Sequence, residues 1–588
     1  MLVFGIVALF AAQYRLVRDT NFQGADEWLH LSLLSRGIID FPYANRPLML
    51  LWSLPAMALH PHSLRAFWVA HGVYLALTAV LTFLVTRRFL PGQEGVAFLA
   101  GVFTATWVPL DFARLSTLVF TAYSGLAFGT MLALFLFVES WFRRSVPWLL
   151  ASAVTAVATM RGFEGAIPLL ALAPVALAGG ARGGDPRRRP WLIVWAAVMV
   201  LGIALAVWPL VAGRPEAAYQ TSILTLDVSP LPFVRRLLLQ FGYGLLPLLT
   251  TPPWSLSHVA VLPAAGFALA FAAGQGAASS AADPGRGRRA LALAGLAGLA
   301  ASALAYALFA LSPQINGPLR THFLAAPGLG LLLASVVGLI AGLPLGRGAP
   351  VLGGLAGAWI VALGTNHVAA MQGYWDRFNP LWGQAHTLSE LTRQAPGLQP
   401  HTLVVLLDET GDWRTTFSFR HATQYIYGDD VLGYAAGTPD LFYPTRVGPD
   451  GVHTEPWPVI RGPWRSLPTW HRFDEGKKRS TFTSTPPCSV CLYSSWRIAS
   501  PIPASWNDFA SFVRHSPFRF RSSMQTVPNA STTAVVNWCR NSRRWLATRS
   551  WWRATRRFHF ARLLLPFFFR DRARWSRLSF PSDLRRRA

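Results

Sequence analysis

The dominant pattern in the chain is a succession of apolar stretches separated by short polar segments. Eleven of them are long enough, or nearly so, to cross about 30 Å of hydrocarbon. They fall near 1–14, 64–86, 94–110, 118–141, 147–160, 163–179, 191–212, 255–275, 290–311, 322–343 and 349–369. A further stretch, Leu48–Leu59, is only about a dozen residues long, is interrupted by Pro55 and is followed by Pro61. Its length fits an interfacial helix better than a span.

Arginines between the stretches orient them, because short cytoplasmic loops are enriched in Lys and Arg. With the N-terminus inside and 48–59 not crossing, the inside loops carry Arg87-Arg88, Arg143-Arg144, Arg182 with Arg187–Arg189, Arg286 with Arg288-Arg289, and Arg347. The outside loops carry Asp26, Glu27, Asp40, Asp111, Glu216 and Asp227. A crossing at 48–59 would move every later basic cluster outside. The pattern therefore predicts a polytopic α-helical membrane protein with about 11 transmembrane helices, its N-terminus inside. Two outside segments are long, 15–63 and 213–254. Within the second, Phe233–Leu249 is amphipathic enough to lie on the membrane or re-enter it.

After residue 370 the composition becomes that of a water-soluble domain, expected to be a small extracytoplasmic α/β unit over 371–475. Tyr374–Ala395 has the spacing of an amphipathic helix, and Leu403–Leu407 before Asp408 reads as a buried strand. From Gly476 the character changes again. Both lysines and all three cysteines lie beyond this point, with 22 bases against 3 acids and no periodicity. Residues 476–588 read either as a basic, disordered tail that binds anionic lipid or polymer, or as the product of a shifted reading frame.

Composition narrows the function classes. The chain is 52% hydrophobic and 14% charged, against about 25% charged in soluble proteins. Its net charge of +26 belongs mostly to the tail, so the body carries no nucleic-acid signature and no nucleic-acid partner is expected. The body has no cysteine, hence no disulfide or thiolate metal site. Cys488-Ser489-Val490-Cys491 lacks the second ligand pair that zinc prefers. No phosphate-binding GxxxxGK[ST] loop is present, which argues against an ATP-driven pump. Met1–Tyr14 reads as a retained anchor, short for a span, with the true start possible upstream.

Four places carry candidate chemistry. Asp26-Glu27 puts two carboxylates at a membrane face. Such a group can deprotonate an attacking hydroxyl or help to hold a divalent metal through oxygen ligands; the alternatives are a solvated loop or a helix cap. Asp111 is the acid of the second outside loop, or a span-boundary residue. Arg161 and Glu164 sit between two short apolar stretches, as a mutual ion pair or as substrate contacts. Arg320 and His322 lie at the outer end of a span, where a guanidinium matches phosphate oxygens or snorkels to headgroups.

The order of features over the first 90 residues resembles the GT-C superfamily of integral-membrane glycosyltransferases. Its members carry an acidic motif in the first outside loop, a Pro-Leu juxtamembrane helix, and a span ending in basic residues. Here these read Asp26-Glu27, Arg46-Pro47-Leu48 and Phe67–Arg88. The resemblance implies a transferase that takes a sugar from a polyprenyl-phosphate donor to an acceptor on the outer face, with inversion. Asp26 or Glu27 would be the base, Asp26 by preference. Asp111 would be a supporting acid, and Arg320 with His322 or Arg161 would hold the lipid phosphate. It also implies a bacterial inner (plasma) membrane location, with membrane lipid and the polyprenyl-phosphate sugar as partners; it fixes no cofactor and is compatible with a divalent metal. The competing classes are a transporter or flippase of a lipid-linked or amphipathic solute, and a non-catalytic scaffold. Convergence of Asp26, Asp111 and Arg320 on one cavity would favour the enzyme.

Overall fold

The computed structural model describes residues 1–39, 46–60, 63–178, 189–211, 227, 229–278, 284–312, 322–398, 402–408, 410–413, 415–428, 431–436, 438, 445–448, 451–454, 461–462, 465–466, 479–483 and 488–494. The helices used below are α1 Leu2–Tyr14, α2 Asp26–Leu34, α3 Leu54–Leu59, α4 Leu64–Phe89, α5 Glu94–Thr106, α6 Thr117–Arg143, α7 Val146–Gly162, α8 Ile167–Ala178 and α9 Arg189–Val211. They continue with α10 Pro230–Leu245, α11 Val261–Ala278, α12 Pro284–Ala310, α13 His322–Ala341, α14 Gly348–Phe378, α15 Leu381–Gln394 and α16 Thr416–Tyr427. A helix stands at each of the eleven apolar stretches.

Among the described residues, six helical segments are long and apolar enough to cross a membrane: Leu64–Phe89, Thr117–Arg143, Arg189–Trp208, Gly287–Ala310, His322–Ala341 and Gly348–Gln394. Several apolar helices of this kind point to an integral membrane protein. The others are shorter. α1 and α5 have 13 residues each, a rise of only about 20 Å. α5 is not a lipid-facing element, since ten of its residues are buried between α1, α4 and α13. Leu48–Leu59 forms a 3₁₀ turn, Met49–Ser53, running into the six-residue α3, too short to span.

Contacts between helices show which helix ends share a face. The buried Glu139 carboxylate of α6 takes a forked pair of bonds from Arg88 of α4, at 2.6 and 2.9 Å, and a third from Arg143 at 2.7 Å. The two basic clusters at 87–88 and 143–144 therefore lie at one end of the bundle. Arg288 of α12 donates to the Gly342 carbonyl after α13, and Gly338 of α13 lies against Val96 of α5, which brings them to the same end. At the opposite end, Gln13 of α1 donates to the Thr106 carbonyl at 2.9 Å. Tyr14 donates to the Trp68 carbonyl at 2.8 Å.

Small residues set the closest helix approaches, as in lipid generally. A Cβ on Gly328 of α13 would stand 2.5 Å from Ser302 Oγ and 2.7 Å from the Gly298 carbonyl of α12. Two residues on, on the opposite face, a Cβ on Gly330 would meet Ala100 O of α5 at 2.7 Å. α13 is thus wedged between two neighbours by two glycines.

The expected amphipathic helix 374–395 is two elements. α14 runs on to Phe378 and breaks at Asn379, whose ψ of 113° is extended, because a residue before proline is pushed out of the helical region. α15 then starts at Leu381. Beyond it, β1 (Thr402–Asp408) and β2 (Val431–Ala436) pair in parallel, joined by α16, with Leu403 opposite Leu432. β5 (Arg479–Thr483) and β6 (Cys488–Ser494) complete a four-stranded sheet in the order β2-β1-β6-β5. β6 is antiparallel to β1 and puts Cys488 opposite Asp408, so the sheet extends past the compositional change at 476. Strand β1 is the one read from sequence.

The chain divides into two compact units. The helices and the four-stranded sheet, apart from Arg479, belong to the first. The second contains the hairpin of β3 (Thr445–Gly448) and β4 (Gly451–Thr454); residues 495–588, most of the basic tail, lie outside the described residues.

Replacing Gly328 by Leu would force overpacking against backbone, costing about 1–3 kcal/mol. Denaturation of the detergent-solubilised protein should show that loss. A variant as stable as the parent would mean that the α12–α13 contact is not close.

Candidate functional site

The carboxylate pair opens α2, with Asp26 and Glu27 in its first turn, where the helix dipole favours negative charge. Their environments differ. Asp26 is half-buried, whereas Glu27 is fully buried at 0% exposure. The Glu27 carboxylate folds back over its own approach loop, accepting the Gln23 N–H at 2.8 Å and the Ala25 N–H at 3.2 Å. It also accepts the Ser116 hydroxyl. Gly24 makes this curl possible by adopting φ +75°, a region that side chains disfavour. Burial pushes the Glu27 carboxyl above its ordinary range, with the Ser116 and backbone hydrogen bonds opposing the shift.

Ser116 belongs to the segment 107–116 between α5 and α6, which gathers the other groups of this end. Trp107 donates its indole N–H to the Gly244 carbonyl of α10 at 2.9 Å. Its own carbonyl lies 3.4 Å from Nε2 of His322. The Val108 carbonyl contacts His367 Nδ1 at 2.7 Å. Asp111 is buried, and its N–H approaches the Met371 sulfur at 3.1 Å. Arg114 N–H closes a turn onto the Asp111 carbonyl at 3.1 Å. The segment 107–116 is therefore a hub joining α2, α10, α13 and α14.

Arg114 is the residue that the sequence reading left without a role. It is 3% exposed, and its guanidinium stacks 5.2 Å from the Phe323 ring centroid. Burial draws it down to about 10, while Asp111 and Tyr14 hold it up, so it stays charged at neutral pH. Among the described residues its Nη1 has no hydrogen-bond partner. A cavity of about 20 Å³ beside it, lined by Tyr14, His71 and Val368 among others, has room for roughly one water. The usable signal was an acid and a base three residues apart, on the side where the alternation leaves few arginines.

The remaining candidates fall in two neighbourhoods. His322 is buried between the Trp107 carbonyl and the Tyr306 hydroxyl, each 3.4 Å from a ring nitrogen, which makes it an internal contact of the hub rather than a surface ligand. Arg320 lies outside the described residues. Arg161 donates to the Leu205 carbonyl of α9. Glu164 is gripped by Arg46, with Nε 3.0 Å and Nη2 2.5 Å from its two oxygens, and the Arg46 guanidinium lies 4.7 Å from the Phe163 centroid. The expected pairing of Glu164 with Arg161 is thus replaced by a forked pair from the Arg46-Pro47-Leu48 motif, because Arg46 turns its N–H edge to Glu164 and its flat face to Phe163.

The α/β part closes over α2. Trp28 stacks on Trp413 at 6.2 Å and meets Phe22 edge-on at 5.1 Å. Among the described residues, no group of three or more His, Cys, Asp or Glu is arranged to hold a metal ion. No family model matches the sequence, and no curated protein matches it.

Because the folded-state value of Glu27 is raised, its contribution to stability is full below the ordinary carboxylate value and is lost as pH rises through the folded value. Glu27→Gln mimics the protonated form and lacks this dependence. The Tm advantage of the parent over Glu27→Gln should therefore shrink as pH rises across that window. A growing advantage would show that the three donors favour the anion more than burial penalises it.

Proposed function

We propose that this protein is an integral-membrane glycosyltransferase of the GT-C kind, moving a sugar from a polyprenyl-phosphate donor to an acceptor hydroxyl. The observation that carries the reading is the division of labour in the carboxylate pair. Glu27 is buried and committed to three donors, while Asp26, one residue earlier, is partly open and held on the same rigid turn. A general base needs such an open carboxylate in a fixed place. The hub segment with Asp111 and Arg114 lies against this turn through Ser116, and supplies further charge near it.

In this mechanism Asp26 takes the proton of the acceptor hydroxyl as its oxygen attacks the anomeric carbon. The bond from that carbon to the lipid phosphate breaks, and the phosphate leaves with the electron pair. A cation near the leaving oxygen stabilises the developing charge; Arg320 is the proposed group, with Asp111 in a supporting role. Glu27 positions the turn instead of acting as the base. The architecture that goes with this reading has about eleven crossings, the N-terminus inside, and the α/β unit outside a bacterial inner membrane. The gathering of Arg88, Arg143 and Arg288 at one bundle end supports that orientation.

Two experiments test it. Asp26→Asn should lower sugar transfer from a polyprenyl-phosphate donor by about 10²-fold or more, and Glu27→Gln by less. Full activity in the double variant would refute the mechanism. For orientation, single cysteines can be placed in a background with Cys488, Cys491 and Cys539 replaced. A cysteine at Trp254, which is exposed, should react with an impermeant thiol reagent applied outside intact cells, and one at Leu345 should not. The reverse labelling would invert the topology.

A further inference from the structure

The helix α15 carries a buried amide, two of whose three bonds reach the stretch that holds Asp26. Gln384 is 0% exposed. Its Oε1 accepts the Trp28 indole N–H at 2.7 Å. Its Nε2 donates to the Gly24 carbonyl at 3.1 Å and to the Asp412 carbonyl at 2.8 Å. The indole can only donate, so it fixes which end of the amide is oxygen. The amide then faces two carbonyls with its two N–H groups, and every polar atom is used.

We propose that Gln384 is a positioning residue for catalysis, through which the α/β unit sets the place of the Asp26 carboxylate; this rests on the glycosyltransferase reading above. Gly24 and Trp28 flank Asp26 on either side, and Gln384 holds both. Its third bond, to Asp412, joins them to the turn after β1. That turn is rigid in its own right, since the Asp408 carboxylate accepts the N–H groups of Thr410, Gly411 and Trp413 at 2.9, 3.2 and 2.7 Å. A Cβ on Gly24 would come within 2.4 Å of Gln384 Nε2, so the approach of loop and amide leaves no slack. A base held by a rigid second layer keeps the sub-ångström placement that proton transfer demands. Neither a carboxylate nor a thioether at 384 can reproduce one acceptor and two donors.

The test is Gln384→Met, which keeps volume and adds no charge, compared with Arg393→Ala on the exposed side of the same helix. In purified full-length protein, Gln384→Met should lower kcat for sugar transfer at least tenfold with the donor KM changed less than twofold. Hydrogen–deuterium exchange should rise together at 22–30 and 408–413 and stay unchanged in α4 and α6. Arg393→Ala should change neither. An unchanged kcat per folded molecule, or exchange at 22–30 equal to that of the parent, overturns the proposal. If the parent transfers no sugar, the glycosyltransferase reading fails; a rise in exchange would then leave Gln384 as a structural clamp and the catalytic proposal overturned with it.

Discussion

One carboxylate decides how the loop-bearing end of this bundle is built. Taking Glu27 out of water costs several kcal/mol, and the structure offsets that cost with two backbone N–H groups and the Ser116 hydroxyl. Hydrogen bonds to a charged acceptor are worth about 1.5–3 kcal/mol each, so the three together offset much of the cost, although burial still leaves the carboxyl above its ordinary range. Making all three bends residues 23–25 into a tight curl and brings α2 against the segment 107–116. The rest of the site follows from this docking.

The bundle separates its charges along its length. At one end Glu139 collects Arg88 and Arg143, which ties α4 to α6 where both finish. At the other end the charged and polar groups turn inward, as in the buried Arg114, the Arg46–Glu164 fork and the Arg236–Asp227 pair at 3.0 Å. The helix α10 shows the same inversion. Its Arg236, Gln240 and Gly244 are buried while Leu231, Val234 and Leu238 are exposed, an arrangement suited to surroundings of hydrocarbon.

The α/β unit extends the site without supplying its charges. It contributes aromatic surface, in Trp413 and the face of α16, and the amide of Gln384. A rigid cover of this type lets the carboxylate turn be positioned by elements hundreds of residues away in sequence, such as Gln384, 360 residues from Gly24. Asp26 stays partly open on the same turn, which is what the proposed base requires.

Hydropathy and length read from the sequence alone located a helix at each of the eleven apolar stretches, rejected 48–59 as a span, and found strand β1. These are local properties, written in consecutive residues and in the 3.6 and 2.0 periods of helix and strand. The break at Asn379–Pro380 was equally local but hidden inside a continuous amphipathic pattern. Partner choice was different. Glu164 pairs with Arg46 across 118 residues, and Glu27 bonds Ser116 across 89. No periodicity encodes either contact. The same limit applies to burial: Asp26 and Glu27 are indistinguishable as neighbours in sequence, and Arg114 looks like any loop arginine. Which carboxylate is dry and which is open depends on helices that meet only once the chain has folded.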